Sequence, residues 1–213
     1  IGAIPNAILS ALMEHRDLGV HTELLSDGVI DLIENGVVTG VLKQLNRNKT
    51  VGTFALGTKR LYEFLHENSA IEMWPVRYVN DPRVIAQEKN FVSINATIAV
   101  DLVGQCASET VGGTYYSSSG GQADFARGAM YSDGGQGFVV LHSTAKNGAI
   151  SKIVPQLPPG DVVTTLKNTV DKVVTEFGVA ELRGRSIRER ARALIAIAHP
   201  GHRDDLTADA RRL

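Results

Sequence analysis

Glu23 is the residue whose type and position in the sequence best suit it for catalysis. It ends the segment Leu18-Gly19-Val20-His21-Thr22-Glu23, and the turn-forming residues Ser26-Asp27-Gly28 follow shortly after. This pattern predicts a carboxylate at the point where a strand passes into a loop, the usual place for chemistry in an α/β protein. Glu176, in Val174-Thr175-Glu176-Phe177-Gly178, is a rival carboxylate at a second predicted strand end.

A second segment could supply the complementary half of a site. The segment Ser117-Ser118-Ser119-Gly120-Gly121-Gln122-Ala123-Asp124-Phe125 contains two adjacent glycines. Because glycine has no Cβ, two neighbouring backbone N–H groups can approach a reacting oxygen there. The two segments together suggest a carboxylate nucleophile that faces an oxyanion hole.

Each of these features also has a purely structural interpretation. Glu23 could be a surface or capping carboxylate, and Gly120-Gly121 could be a simple turn. Asp124 and Arg127 have the spacing of a helix-surface pair, while Asn80-Asp81-Pro82 is typical of a turn or a helix start. Lys146-Asn147-Gly148 is typical of a hairpin turn, although a lysine at such a tip could also bind a phosphate or a carboxylate.

Several common kinds of site have no matching motif in the sequence. Val111-Gly112-Gly113-Thr114 lacks the glycine spacing of a dinucleotide fingerprint, and there is no Walker loop. Ser119 is not flanked by the glycines of a nucleophile elbow. The six histidines include no His-Glu-x-x-His pair, so we expect no metal site.

Composition limits the possible partners and compartments. The 213 residues are 43% hydrophobic and carry a net charge of −1, so we expect a globular protein that does not bind nucleic acid. No apolar stretch approaches the roughly 20 residues that cross a bilayer, so we expect no membrane partner. The single cysteine, Cys106, is expected to be buried and favours a reducing, cytoplasmic location. The chain begins at Ile1 without an initiator Met, which we interpret as a piece of a longer protein.

Helical and strand patterns alternate along the chain, which predicts an α/β fold with an open, largely parallel sheet flanked by helices. We interpret residues 1–213 as a single domain. Helices are predicted from Pro5, over Val29–Asn35 with Gly36 ending it, over Lys59–Glu67 and over Ile187–Ala198. Strands are predicted over Val51–Leu56, Ile71–Val76, Phe91–Val103, Phe138–Leu141, Ser151–Val154, Val162–Thr165 and Val173–Thr175.

Taken together, several segments resemble the acetyl-CoA hydrolase/CoA-transferase family. They are Ile1-Gly2-Ala3-Ile4-Pro5, His21-Thr22-Glu23 with Ser26-Asp27-Gly28, Asn80-Asp81-Pro82, Ser119-Gly120-Gly121-Gln122-Ala123-Asp124-Phe125, Ser143-Thr144-Ala145-Lys146, Val174-Thr175-Glu176-Phe177-Gly178, Arg188-Glu189-Arg190-Ala191 and Ile195-Ala196-Ile197-Ala198-His199-Pro200. The resemblance extends from Ile1 to about Leu206. The His-Thr-Glu form is most similar to the 4-hydroxybutyrate and butyrate CoA-transferase branch.

The resemblance implies a CoA-transferase that works through a thioester between CoA and the Glu23 carboxylate. It implies that Asn80 and the Gly121 N–H are oxyanion donors. Coenzyme A, as acyl-CoA, and a short-chain carboxylic acid would be the substrates, and no metal is implied. The positions that match CoA contacts of the family are Ile1, Gly2, Ala3, Ile4, Ile98, Ser117, Gly121 and Lys146.

The resemblance also implies that this segment is the C-terminal half of a longer subunit, which we expect to form a homo-oligomer. The missing N-terminal half would then be a partner. Two positions depart from the family pattern: Ser118, where many relatives have a Gly nearby, and Lys152, where relatives commonly have Arg. Two alternatives stay open: an acetyl-CoA hydrolase that uses the same Glu23, and a CoA-binding module without turnover.

Overall fold

The computed structural model describes residues 3–213, with the side chains of residues 3–6 excepted. The chain divides into two compact units. The first comprises the residues up to Phe91 together with Tyr131–Gly135, and the second comprises Val92–Met130 and Gln136–Leu213. The interpretation of residues 1–213 as one domain stays a prediction, and the units are described one at a time.

The first unit alternates helices with short strands. Its helices are α1 (Ala3–Ala11), a 3-10 turn (Leu12–Glu14), α2 (Gly28–Glu34), α3 (Lys59–Leu65), α4 (Val76–Val79) and α5 (Pro82–Ile85), and its strands are β1 (Leu24–Leu25), β2 (Thr50–Gly52), β3 (Phe54–Ala55) and β4 (Ile71–Met73).

All strand pairings described in the first unit are parallel. Strand β1 pairs with β3, and β2 pairs with β4. A single bridge between His21 and Val51 has the same register as the pairing of Leu24 with Phe54, so residues 21–25 run in step with residues 51–55. Glu23 lies at a bend between the His21 bridge and strand β1, so the prediction that a strand ends at Glu23 and passes into a loop was wrong: the strand follows Glu23.

Local sequence explains where two of these helices begin and end. Helix α2 stops at Glu34, and Gly36 adopts a φ of +69°, a left-handed conformation that glycine accepts without strain. Helix α1 begins at Ala3, so the prediction that Pro5 opens it was wrong by two positions. Pro5 still lies in the first turn, where its missing N–H removes no intrahelical hydrogen bond.

The second unit contains most of the strands. They are β5 (Val92–Ala96), β6 (Ala99–Asp101), β7 (Cys106–Ala107), β8 (Thr110–Val111), β9 (Thr114–Tyr115), β10 (Gln136–Val140), β11 (Thr144–Ala145), β12 (Ile150–Ser151), β13 (Ile153–Val154), β14 (Lys172–Thr175) and β15 (Gly178–Glu181). Its helices are α6 (Gln122–Tyr131, which ends in the first unit), α7 (Ile187–Ala196), a 3-10 turn (Pro200–His202) and α8 (Arg203–Ala210).

A four-stranded sheet in the order β15-β14-β10-β5 organises the second unit. Strands β5, β10 and β14 are parallel, and only β15 is antiparallel. Val139, Val173 and Ala180 lie in one buried cluster with Leu194 of helix α7. The mixed α/β class with sheets that contain parallel strands is therefore confirmed.

Three strand predictions in this unit need correction. The predicted strand Phe91–Val103 is two strands, β5 and β6, which lie in different sheets, and the predicted strand Ser151–Val154 is divided between β12 and β13. Val162–Thr165 is not a strand, and only Thr165 forms a bridge, to Cys106. Strand β5 does alternate, but its apolar side chains Val92 and Ile94 are 49% and 42% exposed, while Ser93 is buried. Periodicity showed that the two faces differ, but it could not show which face the core would cover.

Cys106 lies in the core of the second unit and is fully buried, as predicted. Burial, reinforced by the negative charge of Asp101, raises the pKa of its thiol to about 12, so the thiol stays protonated. None of the described helices is both long enough and apolar enough to cross a bilayer.

Helix α7 owes its sharp start to a reciprocal cap. The Ser186 hydroxyl accepts a hydrogen bond from the Glu189 N–H, and the Glu189 carboxylate accepts one from the Ser186 N–H.

We expect Ser186→Ala to lower the free energy of unfolding by about 1 kcal/mol, because one donor of the first turn loses its partner. Urea unfolding would measure this change, with Ser69→Ala at an exposed loop position as the control. Equal effects of the two substitutions would contradict the role of the cap.

Candidate active site

The Glu23 carboxylate is presented from an anchored backbone. Its carbonyl oxygen accepts hydrogen bonds from the N–H groups of both Thr53 and Phe54, each at 3.1 Å. This double contact falls between β2 and β3, which explains why the predicted strand Val51–Leu56 is interrupted at Thr53. The Glu23 side chain is only partly buried, so its carboxylate can meet a ligand.

Asn80 holds one oxygen of that carboxylate. Its Nδ2 donates a hydrogen bond to Glu23 Oε2 at 2.5 Å, across 57 residues of sequence. Asn80 is 8% exposed, and its Oδ1 is buried without a hydrogen-bond partner. The amide therefore fixes the direction of the carboxylate, while Glu23 Oε1 has no corresponding bond to Asn80.

The segment around Asn80 combines the end of one helix with the start of another. The Asn80 N–H donates to the Val76 carbonyl at the end of α4. Asp81 caps α5 by accepting the Arg83 N–H, and Pro82 occupies the first turn. The helix-start interpretation of Asn80-Asp81-Pro82 is thus confirmed, and the segment also delivers a side chain to Glu23.

His21 holds the segment that ends at Asn80 through a hydrogen bond to the Val79 carbonyl. Its Nε2 lies 2.7 Å from the Val79 carbonyl oxygen, and because a carbonyl can only accept, Nε2 carries the proton. Burial lowers the pKa of His21, and only part of that effect is offset by the bond to Val79. A neutral His21 therefore ties the residue before Asn80 to the strand that carries Glu23.

Lys43 is a buried cation that sequence reasoning missed. Its Nζ donates to the carbonyl oxygens of Val20 and Lys49, both at 3.0 Å, and burial lowers its pKa. A Cβ at Gly19 would lie 2.5 Å from the Lys43 Cγ, so the strand that leads to Glu23 needs glycine at this place. That glycine was the only signal in the sequence for the close approach.

The second unit contains the glycine segment. Residues 117–120 are exposed, Gly120 has a φ of +52°, and Gly121 accepts the Phe125 N–H as helix α6 begins. Gly120-Gly121 is therefore the turn that starts a helix. The roles of Gly121 as an oxyanion donor and of Ser117 as a CoA contact stay predictions.

Lys146 lies at the tip of the hairpin formed by β11 and β12, as its sequence context predicted. Lys146 and Asn147 adopt φ values of +48° and +53°, and the Lys146 side chain is exposed. The His202 Nε2 contacts the Gly148 carbonyl at 2.8 Å and so supports the tip. An exposed lysine on a supported turn is suited to bind an anion.

The remaining predicted CoA contacts are distributed between the units. Ile98 follows β5, and its N–H donates to the Ala107 carbonyl at 3.0 Å. Ala3 and Ile4 begin helix α1, while Ile1 and Gly2 lie outside the described residues. Their role in CoA binding stays a prediction.

Glu176, the rival nucleophile, differs from Glu23 in that Ser143 donates hydrogen bonds to both of its carboxylate oxygens. Its two carboxylate oxygens accept hydrogen bonds from the Ser143 N–H at 2.9 Å and the Ser143 hydroxyl at 2.6 Å. Burial raises its pKa, but the two bonds from Ser143, together with smaller effects of its own backbone N–H and of His142, hold the pKa below its ordinary value. With both oxygens occupied, Glu176 is less suited than Glu23 to attack a substrate.

Known proteins match the chain along its whole length. A family model described as the acetyl-CoA hydrolase/transferase C-terminal domain matches residues 57–210. A succinyl-CoA:cyclohexane-1-carboxylate CoA transferase from Geobacter metallireducens is 60% identical over 100% of this chain and 48% of its own length. The 4-hydroxybutyrate coenzyme A transferase of Clostridium kluyveri is 48% identical over 100% of this chain and 49% of its own length.

Solved structures give the same result for the fold. RipA from Yersinia pestis superposes with a TM-score of 0.95 at 48% identity, over 100% of this chain and 48% of RipA. The chain thus spans about half the length of the curated relatives that it matches.

The buried state of His21 predicts a pH effect on stability. Because its pKa is lowered in the folded state from 6.5, the unfolded chain binds the proton more tightly, so acid favours unfolding. We expect this residue to reduce the free energy of unfolding by up to about 1.4 kcal/mol per pH unit below that value. The contribution should be absent above pH 7.

Urea unfolding of wild type and His21→Gln between pH 5 and pH 7.5 would measure this effect. Glutamine keeps a donor for the Val79 carbonyl but does not titrate, so the variant should lose part of the pH dependence. The exposed His66→Gln serves as the control. An unchanged pH dependence in His21→Gln would show that His21 does not contribute.

Proposed function

We propose, because this chain belongs to the acetyl-CoA hydrolase/transferase family, that it is the part of a CoA-transferase that carries the nucleophile, Glu23. The reaction would move CoA from a short-chain acyl-CoA to a carboxylic acid. The observation that carries the proposal is the hydrogen bond from Asn80 to Glu23. It holds the carboxylate, at the bend before β1, in one orientation and leaves its other oxygen available for attack.

The first half of the proposed reaction forms an anhydride. A Glu23 oxygen attacks the thioester carbonyl, the C–S bond breaks, and CoA leaves as a thiolate. The thiolate then attacks the glutamyl carbonyl, and the anhydride C–O bond breaks to release the first acid. Glu23 is left as a CoA thioester, and an acceptor carboxylate reverses these steps. Covalent catalysis replaces one difficult exchange with two easier ones.

Asn80 has a defined task in this sequence. When the thiolate attacks the glutamyl carbonyl, negative charge develops on a Glu23 oxygen, and the Asn80 Nδ2–H donor already lies beside Oε2. A donor that is in place before charge develops needs no reorganisation at the moment of reaction. Because Asn80 is buried, it donates in a medium that screens the charge less than water does.

The names of the relatives support a proposal for the substrates. The relative with 60% identity is named for succinyl-CoA and cyclohexane-1-carboxylate, and the one with 48% identity for 4-hydroxybutyrate. We propose that this protein accepts a monocarboxylic acid with a short or alicyclic carbon skeleton. In the second unit, we propose that Lys146 provides a positive charge for the phosphates of CoA.

The remaining proposals concern the context of the enzyme. Since the relatives are about twice as long, we propose that an N-terminal half of the same subunit is required for full activity. We further propose a homo-oligomer in the cytoplasm, where the buried thiol of Cys106 would stay reduced. A CoA-binding module without turnover is the alternative if the other half provides every reacting group.

Hydrolysis is the second candidate activity, because the family description names it beside transfer. Water could attack the same glutamyl thioester, and exclusion of water from the site would decide between the two outcomes. Free thiol released from acetyl-CoA measures hydrolysis alone, because transfer to cyclohexanecarboxylate or butyrate keeps CoA in a thioester; chromatography of the new acyl-CoA measures transfer. Transfer requires the acid, whereas hydrolysis proceeds equally well in its absence.

We expect Glu23→Ala to abolish CoA transfer and Asn80→Ala to lower kcat by about 10²–10³, the usual effect of removing one oxyanion donor. Chromatography of the acyl-CoA products would measure both rates. Glu176→Gln is the matched carboxylate control and should retain much more activity than Glu23→Ala. An active Glu23→Ala variant, or an inactive Glu176→Gln variant that remains folded, would contradict the choice of nucleophile.

A further inference from the structure

Trp74 exposes an aromatic surface that the first unit holds in a fixed orientation. Its indole Nε1 donates a hydrogen bond to Glu72 Oε2 at 2.9 Å, and its ring packs on that of Tyr78 with the ring centroids 5.4 Å apart. Trp74 is nevertheless 42% exposed. A ring that is already fixed in this way loses little side-chain freedom when a ligand packs on it.

The two partners of Trp74 are joined to each other through Asn46. The Asn46 Nδ2 donates to Glu72 Oε2 at 3.0 Å, and the Tyr78 hydroxyl donates to Asn46 Oδ1 at 2.8 Å. The contacts therefore form a closed ring that begins and ends at Trp74. Single exposed hydrophobic side chains are common on protein surfaces, whereas one that three polar side chains hold has the support expected of a binding residue.

One short segment contacts both Trp74 and the candidate nucleophile. Tyr78 packs on Trp74, and Asn80, two residues later, donates to Glu23. Tyr78 also lies against the His21 ring, with the ring centroids 6.2 Å apart. The side chains of Trp74 and Glu23 therefore project from the same face of the parallel strands of the first unit.

The strand pairing gives the separation of these two residues. The Thr53 N–H donates to the Glu23 carbonyl, and the Trp74 N–H donates to the Gly52 carbonyl, which continues the pairing of Gly52 with Met73. Glu23, Thr53 and Trp74 are thus neighbours in one row across three adjacent chain segments. Two spacings between adjacent strands separate the backbones of Glu23 and Trp74 by roughly 10 Å. A small molecule attached to the Glu23 carboxylate can therefore contact the indole.

We infer that the exposed indole of Trp74 packs against the carbon skeleton of the carboxylic acid and so selects acids with a bulky apolar skeleton. This inference rests on the proposed function, in which the acyl group is joined to Glu23. An alicyclic ring would extend to Trp74, whereas the methyl group of acetate would not. No bond forms or breaks at Trp74. Its contribution is the burial of apolar surface, which stabilises the acyl-glutamyl anhydride and the transition states that flank it.

Met73 provides a matched control. It precedes Trp74 in the sequence, is 47% exposed and is likewise a large apolar side chain. Because successive side chains of a strand point to opposite faces, Met73 projects away from the face that carries Trp74 and Glu23. Loss of either side chain removes exposed apolar surface, but only loss of Trp74 should change the choice of acid.

The first experiment measures kcat/KM for cyclohexanecarboxylate and for acetate as CoA acceptors, with butyryl-CoA as the donor. In the proposed mechanism each acid meets the same Glu23 thioester, so the ratio of the two values reports on the acid alone. Trp74→Ala should lower kcat/KM for cyclohexanecarboxylate by about tenfold or more, as expected for lost contacts in an apolar site, and should change that for acetate little. Met73→Ala should keep the wild-type ratio.

The second experiment uses wild type and does not depend on the folding of Trp74→Ala. Trp74 is the only tryptophan among the 213 residues, so its fluorescence reports on its surroundings. Cyclohexanecarbonyl-CoA should move the emission maximum to shorter wavelength, because the acyl group displaces water from the indole, and acetyl-CoA should not. Trp74→Phe supplies the background signal.

Three results would overturn the inference alone. They are equal losses with both acids in Trp74→Ala, the same change of ratio in Met73→Ala, and the same emission with both CoA esters. Equal losses would indicate that Trp74 packs against another part of the protein instead of the acid. A wild-type protein that transfers CoA to neither acid contradicts the proposed function and the inference together.

Discussion

The hydrogen bond between Asn80 and Glu23 is the interaction on which the candidate site of the first unit depends. It joins residues 57 positions apart, and both partners are attached to anchored backbone. Glu23 is held through its carbonyl by Thr53 and Phe54, and Asn80 is held at the end of α4. A carboxylate that is oriented in advance loses less freedom when it reacts, so the supporting contacts serve the chemistry directly.

Two buried ionisable groups stabilise this arrangement at some cost to the fold. His21 loses hydration while it donates to the Val79 carbonyl, and Lys43 loses hydration while it donates to the carbonyls of Val20 and Lys49. Both groups are compensated by backbone acceptors, as buried polar groups in folded proteins usually are. Hydrogen bonds from His21 and Lys43 thus support the chain segment that leads to Glu23. Because both side chains can gain or lose a proton, the position of that segment depends on their protonation.

The sequence predicted the parts of the site that depend on local signals. Asp81-Pro82 indicated a helix start, and the structure has one there. The short apolar run before Glu23 indicated a strand that ends there, whereas Glu23 forms a bend and strand β1 follows it. The approach of Asn80 to Glu23 has no local signal, because it joins a bend before β1 to the residue that follows α4, 57 positions away, and only the family resemblance suggested it. The role of His21 was missed for the same reason, since its acceptor is 58 residues away. Strand β5 showed the limit of periodicity, which identified two faces but not the covered one, and which did not indicate the break after Ala96 that separates β5 from β6.

The central claim is that Glu23 becomes covalently bound to CoA, and mass spectrometry of the Glu23 peptide tests it most directly. The protein would be incubated with acyl-CoA, treated with borohydride to reduce any glutamyl thioester, and digested. The account predicts that the peptide with Glu23 loses the mass that corresponds to reduction of its carboxyl group to an alcohol, and that Glu23→Ala shows no such change. Modification of the Glu176 peptide instead, or of neither peptide while transfer proceeds, would contradict the account.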